Sequence, residues 1–221
     1  MVIIMLGAPA TGKGTVASIL SKKLNIPQIS TGDLFRKNMA EKNELGILAE
    51  KYISQGHLVP DEVTIDMVKT RLQENDTENG VILDGFPRTI PQAEALDNIL
   101  AEKNMKIDMV VNLSTPEEEI IERVVTRQVC SNPECKTIYN TKLNPTKVEG
   151  ICDKCGSRVI TRKDDTVEAV KTRLKQYFEL TNPLVDFYEK KGCLSTEKVS
   201  ESINRMGKDV AEEVAQRFLN K

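Results

Sequence analysis

Two stretches of this chain hold residue types whose spacing could do chemistry. In Gly7-Ala8-Pro9-Ala10-Thr11-Gly12-Lys13-Gly14-Thr15, two glycines frame four residues and a lysine follows the second at once. Between a strand and a helix, such a loop points successive backbone N–H groups inward at the positive end of the helix, where the lysine meets the outer phosphates of a nucleotide. Glycine at position 12 lets the backbone approach a phosphate closely. Phosphate loops in general place Ser or Thr directly after the lysine to hold Mg²⁺; here Gly14 intervenes and Thr15 comes next. The second stretch holds Cys130 and Cys135, separated by four residues, and Cys152 and Cys155, separated by two. Sixteen residues lie between the pairs. Two turns that each deliver two thiolates build a tetrahedral structural Zn²⁺ site with no open position for chemistry. Pro133 shapes the first turn, and Gly150 and Gly156 free the second. Redox pairing of the thiols is the alternative. The fifth cysteine, Cys193, reads as a small buried hydrophobe.

These groups need a scaffold. Short apolar runs at Val2–Leu6, Ile26–Ile29, Val81–Asp84 and Met109–Leu113 alternate with helical patterns at Lys13–Leu24, Asp61–Leu72, Pro91–Lys103, Pro116–Arg127 and Thr166–Lys190. The alternation predicts an α/β fold with a parallel sheet covered by helices on both faces. A weaker fifth strand is expected near Cys193–Glu197. Pro91 and Pro116 suit first-turn helix positions. Ser114 or Thr115 is expected to cap the helix that follows, with Glu117 to Glu119 at its positive end. Two polar segments, Thr31–Val59 and Gln128–Arg162, interrupt the rhythm and read as insertions.

With 221 residues the chain suits one α/β domain carrying small insertions. The net charge of −2 lacks the basic excess of a dedicated nucleic-acid binder, so any anion must be gripped locally. No stretch reaches the about 18 apolar residues of a membrane span, and the first residues lack the pattern of a secretion signal, so a cytoplasmic location is expected.

Further motifs narrow the reading. Ser30-Thr31-Gly32-Asp33 with Arg36, Asp84-Gly85-Phe86-Pro87-Arg88-Thr89 with Gln92, and Arg123, Arg127, Arg162, Asp164, Asp165 and Arg173, together with the G-K-G-T ending of the first loop, resemble adenylate kinases over nearly the whole chain. The resemblance implies a P-loop three-layer fold with a central five-stranded parallel sheet, a helical AMP-binding insertion and a zinc-ribbon-like lid. The implied bounds are 1–29, 60–126 and 166–221 for the core, 30–59 for the AMP-binding part and 127–165 for the lid. It implies Mg²⁺-dependent, reversible transfer between ATP and AMP giving two ADP, serving adenine nucleotide homeostasis, in a monomer with no nucleic-acid or membrane partner.

By the same resemblance, ATP meets Ala10, Thr11, Gly12, Lys13, Gly14, Thr15, Arg123, Arg127, Ile138, Tyr139 and Glu201. AMP meets Thr31, Arg36, the segment His57, Leu58 and Val59, then Gly85, Phe86, Pro87, Arg88 and Gln92. Lys13, Arg88, Arg123, Arg162 and Arg173 are the expected catalytic set, with Arg127 lying along the ATP. Arg162 and Arg173 also reach the AMP side. Asp84 and Asp33 suit Mg²⁺ through its waters. Two departures are visible: adenylate kinases usually carry Gly where this chain has Ala10, and their zinc lids usually space the first cysteine pair by two residues.

The chemistry is consistent with this set. Phosphoryl transfer needs positioning and charge stabilisation more than covalent help, and planar guanidinium groups match phosphate bidentately. Arg123 and Arg127, four apart, are expected on one helix face. The two insertions would act as flaps that exclude water once both substrates are present. The same loop and arginines would serve a kinase for UMP or CMP. A P-loop protein whose zinc ribbon binds nucleic acid is a further alternative, against which the near-balance of charge between Cys130 and Cys155 argues.

Overall fold

The computed structural model describes residues 1–201 and 205–220. Its elements run in the order β1 (Val2–Gly7), α1 (Lys13–Leu24), β2 (Gln28–Ser30), α2 (Thr31–Glu41), α3 (Glu44–Ile53), α4 (Asp61–Arg71), β3 (Val81–Asp84), α5 (Ile90–Glu102), β4 (Met109–Ser114) and α6 (Glu117–Val125). Then follow β5 (Arg127–Cys130), β6 (Ile138–Asn140), β7 (Val159–Ile160), α7 (Val167–Gln176), α8 (Pro183–Lys190), β8 (Leu194–Lys198) and α9 (Gly207–Leu219).

Five strands form one parallel sheet in the order β2-β3-β1-β4-β8, and the expected fifth strand is present as β8. All six residues of β1 are buried, as a strand covered on both faces requires. Val2, Ile4 and Leu6 enter one core layer with Leu96 and Leu100 of α5 and Leu184 and Tyr188 of α8. Ile3 and Met5 enter the other with Val16 and Leu20 of α1 and Val210 and Val214 of α9. Period-two alternation in one strand thus serves both helical layers. The carboxyl ends of β1 and β3, at the middle of the sheet, open onto the phosphate loop and Asp84; ligands of open α/β sheets sit at such ends.

The two interruptions have small cores of their own. In the first, α2 and α3 pack around Phe35, Ala49 and Val59, with Val63 and Met67 of α4 against them. In the second, β5, β6 and β7 form a separate antiparallel sheet whose core is Cys130, Tyr139, Cys152 and Val159, with Cys135 against it. Three of those five residues are cysteines, so thiols occupy space that a larger unit would fill with aliphatic side chains.

Local details correct several expectations. Pro116 is the N-cap of α6 rather than a first-turn residue, and no side chain caps this helix. Thr115 instead donates its hydroxyl to the Val199 carbonyl, 2.8 Å away, tying β4 to β8. Glu117, Glu118 and Glu119 do occupy the first turn, where the helix dipole favours them. The helix stops at Val125, capped by Thr126, so Arg127 opens β5 and does not share a helix face with Arg123. The segment expected as one helix, 166–190, is broken by a π turn at Tyr177–Thr181 just before Pro183, whose missing N–H and bulky ring cannot continue an α-helix.

Candidate functional site

The phosphate loop leaves β1 and enters α1 as the sequence predicts. Gly12, the N-cap of α1, sits at φ 95°, and no side chain caps the helix, so its first N–H groups face the loop. Ala10 adopts φ 57°, the left-handed region that glycine tolerates and alanine resists. Ala10→Gly is expected to stabilise the protein by about 0.5–1 kcal/mol, the relief of left-handed strain less the extra freedom of glycine in the unfolded chain. A thermal melt should show this as a rise of about 2 °C.

Lys13 folds over the loop and donates from Nζ to the Gly7 carbonyl at 2.8 Å and the Ala8 carbonyl at 2.6 Å. Burial lowers its pKa to about 8, against the pull of the Asp84 carboxylate and with the push of Arg88 and Arg127. Asp84, at the end of β3, is shifted the other way: loss of hydration raises its pKa, while Lys13 and Arg88 lower it. A carboxylate in this position welcomes a further cation.

Burial also lowers the pKa of Arg88, as do the guanidinium groups of Arg173 and Arg36. Its Nε donates to the Gly85 carbonyl at 2.9 Å, which also accepts from the Thr31 hydroxyl at 2.9 Å. A Cβ at Gly85 would stand 2.8 Å from Arg88 Nη2 and 2.9 Å from Thr31 Oγ1, so the residue must be glycine for the two to meet there. Phe86, next in the chain, is fully buried in the core layer of Leu83 and Leu96. Arg36 pairs with Asp33 at 2.6 Å. Asp33 resists ionisation through burial, but Arg36, Arg162 and Lys136 outweigh that and hold its pKa below the usual range.

From the second insertion and from α7 come Arg127, Arg162 and Arg173. Arg127 grips Asp165 with two hydrogen bonds, from Nε at 2.8 Å and Nη2 at 2.5 Å. Arg173 is bonded to Asp164 and lies 3.6 Å from Asp165. Arg162 has its pKa lowered to about 10 by burial and by the neighbouring Arg36 and Arg127, and its Nε is buried with no hydrogen-bond partner among the described residues. Lys13, Arg36, Arg88, Arg127, Arg162 and Arg173 therefore crowd around four carboxylates, Asp33, Asp84, Asp164 and Asp165. The depressed pKa values on Lys13, Arg88 and Arg162 come first from burial and then from neighbouring cations, so a bound polyanion would restore the stabilisation their charges lose with hydration.

Arg123 is not part of that cluster. It is 7% exposed, bonds Glu119 at 2.8 Å, and faces a cleft bordered by Thr126, Asn140, Leu143 and Glu201. Ile138 points toward the phosphate loop: a Cβ at Gly14 would lie 3.8 Å from its Cδ1. Tyr139, expected to touch ATP, is turned the other way by strand alternation and is buried in the lid core. Gln92 is 2% exposed, with its amide engaged: Oε1 accepts from Arg88 N at 2.8 Å and Nε2 donates to Asp61 at 2.7 Å. The His57-Leu58 segment is pinned to α7 by Gln176, whose Oε1 accepts from Leu58 N at 2.9 Å and whose Nε2 lies 2.6 Å from His57 Nδ1. Sequence reading missed Gln176 and Asp61, because nothing in local spacing links a glutamine on α7 to residue 58 or an α4 aspartate to residue 92.

The four lid cysteines converge. Their sulfurs all lie within 4.8 Å of one another, with Cys130 and Cys155 at 3.4 Å and Cys135 and Cys152 at 3.7 Å. Thiolates about 2.3 Å from one tetrahedral zinc stand about 3.8 Å apart, so the set fits such an ion. The four-residue first turn closes through Cys135 N and Lys136 N, both donating to the Asn132 carbonyl at 3.1 Å. The Tyr139 hydroxyl lies 3.3 Å from Cys152 Sγ and accepts from Asp153 N at 2.8 Å, which leaves its own proton for the sulfur. That hydrogen bond lowers the Cys152 pKa to about 6, while burial pushes Cys130 up to about 12.

A sequence model of the family described as adenylate kinase matches residues 5–193. The chain belongs to the adenylate kinase family. It is 52% identical over 212 residues to the adenylate kinase of Clostridium beijerinckii, covering 96% of this chain and 97% of that one. It is 50% identical over 210 residues to that of Ruminiclostridium cellulolyticum, covering 95% and 97%. The adenylate kinase of Clostridium novyi matches at 47% over 214 residues, covering 97% and 98%. Family membership makes the chain a phosphotransferase, and the cation cluster at the carboxyl ends of the strands is the place where its fold concentrates charge. Among the described residues, no helix is long and apolar enough to cross a membrane.

Proposed function

We propose that this protein is an adenylate kinase that catalyses ATP + AMP = 2 ADP at the cation cluster. The observation that carries this is the crowding of six cationic side chains, three with lowered pKa, around the end of β1 and β3. Such a site gains most from a ligand pair with many phosphate oxygens. The phosphate-loop segment 10–15 holds the ATP phosphates by backbone N–H groups, and Lys13 swings from its carbonyl partners to the transferring phosphoryl group. Arg36 and Arg88 hold the AMP phosphate. Arg162, Arg173 and Arg127 stabilise the charge that spreads over the equatorial oxygens in the transition state. Arg127 thus takes the phosphate-side role that the resemblance gave to Arg123, and Arg123 with Glu201 borders the nucleoside end of ATP. Thr31, Val59 and Gln92 bound the AMP base, with Gln92 acting through its remaining lone pair and N–H.

Asp84 and Asp33 would hold Mg²⁺ through its waters, and the ion supplies neutralisation of the phosphate charge. Asp84 fits this by its place beside the phosphate loop, where its Oδ2 would lie 3.5 Å from a Cβ on Gly14. No general base is needed, because the AMP phosphate is already anionic at neutral pH. Cys130, Cys135, Cys152 and Cys155 would hold a structural Zn²⁺, which supplies rigidity to the lid.

The core comprises 1–29, 60–126 and 166–221, the AMP-binding part 30–59 and the lid 127–165. The protein works as a cytoplasmic monomer without nucleic-acid or membrane partners. The test is incubation with MgATP and, in turn, AMP, GMP, CMP and UMP, with diphosphates resolved by chromatography. Fast ADP formation with AMP, abolished by a magnesium chelator, is the expected result; preference for CMP or UMP would move the specificity to pyrimidines.

A further inference from the structure

Glu119 has no part in the phosphate chemistry described above, yet its carboxylate joins two elements that border the Arg123 cleft. It lies in the first turn of α6, one helical turn before Arg123, and its side chain is only 18% exposed. Oε2 accepts from Arg123 Nη2 at 2.8 Å and from the backbone N–H of Glu201 at 3.2 Å. Oε1 accepts from the Ser200 hydroxyl. One carboxylate therefore holds a guanidinium on α6 and the backbone after β8 in a fixed relation.

The far side of that segment is also held. Ser200 and Arg205 exchange backbone hydrogen bonds at 3.0 and 3.1 Å. The Arg205 guanidinium binds the Lys198 carbonyl at 2.9 Å, Glu197 at 2.7 Å and Glu213 at 2.5 Å. These bonds hold Ser200 and Arg205 side by side next to β8, and Glu119 meets Ser200 and Glu201 from α6. Among the described residues, Arg123 Nε is buried without a hydrogen-bond partner, and it lies 3.6 Å from Glu201 Oε1. An unsatisfied buried donor at the wall of a cleft marks a place where a ligand or water belongs.

The geometry points to Glu119 as a positioning residue for ATP: it sets Arg123 and the Ser200–Glu201 backbone at the spacing that receives the nucleoside end of the nucleotide. This rests on the reading of the cleft beside Arg123 as the ATP side of an adenylate kinase site. Because Glu119 acts only on that side, its loss should separate the two substrates. Glu119→Gln removes the charge that orients Arg123, and Glu119→Asp keeps the charge but is one methylene too short to span both elements.

Both variants should raise KM for ATP about tenfold and weaken equilibrium binding of a fluorescent ATP analogue alike, with KM for AMP and kcat at saturating ATP within about twofold of the parent. A structural role alone would move the two substrates together. ATP constants within twofold of the parent, or equal shifts for ATP and AMP, would overturn the proposal. Should either variant fold poorly, Ser200→Ala deletes one arm of the bridge and should move the ATP constants alone, by about threefold. Absence of ADP formation by the parent protein would instead defeat the assigned reaction, and the analogue-binding arm would still read the effect of Glu119.

Discussion

Lys13→Met lowers kcat/KM for ATP about a thousandfold and leaves the melting temperature unchanged or higher. The first half follows from the position of Nζ, which stands at the mouth of the phosphate loop, 2.8 and 2.6 Å from two of its carbonyls. A pre-placed cation there contributes most when charge develops on the transferred group, and deletion of one such donor in other enzymes costs two to three orders of magnitude, about 2.7–4 kcal/mol. The second half follows from burial. The pKa of Lys13 falls from 10.5 to about 8 on folding, so the charged form is disfavoured in the native state. That cost is fully present below pH 8 and is relieved as pH rises from 8 to 10.5, because the unfolded chain keeps the proton longer. Methionine escapes it at every pH. In the parent protein kcat/KM for ATP should fall as pH rises through about 8, since this quantity reports the free enzyme. The bound triphosphate holds the proton on Nζ, so kcat itself should stay flat to higher pH. A pH-independent kcat/KM between 7 and 9.5 would show that the charge of Lys13 does not limit ATP capture.

The second large effect belongs to the lid. Purified protein should carry one zinc per chain, and Cys152→Ser should weaken metal binding by two to three orders of magnitude. A structural site of this class contributes about 10–16 kcal/mol, of which one thiolate of four accounts for about 3–4 kcal/mol. The lid has little else to hold it: cysteines fill most of its core, and its sheet has only three short strands. Calorimetry of the metal-free protein should show the lid melting before the core, and kcat/KM should drop because Arg127 and Arg162 are carried by that unit. Tyr139→Phe, which removes the hydroxyl beside Cys152, should cost about 10–100-fold in metal affinity with little loss of core stability. Full activity and a single unchanged transition after exhaustive chelation would rule out a structural metal.

The sequence by itself determined those parts of the molecule whose physics is local. A phosphate loop needs its glycines and lysine at fixed offsets along one turn, so Gly7 to Thr15 could be read directly. The cysteine pairs were legible because each turn must deliver two sulfurs within a few residues. The parallel sheet followed from alternation of apolar runs with helical periods, and even the left-handed Ala10 was foreseeable as an alanine standing where adenylate kinases usually carry glycine. Only the tertiary structure decided which long side chains meet. Arg123 and Arg127 look equivalent at a spacing of four, but α6 ends between them, so one joins the phosphate cluster through Asp165 and the other turns to Glu119. Ile138 and Tyr139 are adjacent in sequence and face opposite ways, toward the phosphate loop and toward the cysteines. Gln176 reaches Leu58 across 118 positions, and Asp61 reaches Gln92 across 31. Such contacts depend on how helices and flaps pack against one sheet, and a flexible side chain of four or five atoms takes its partner from that packing rather than from its neighbours in the chain.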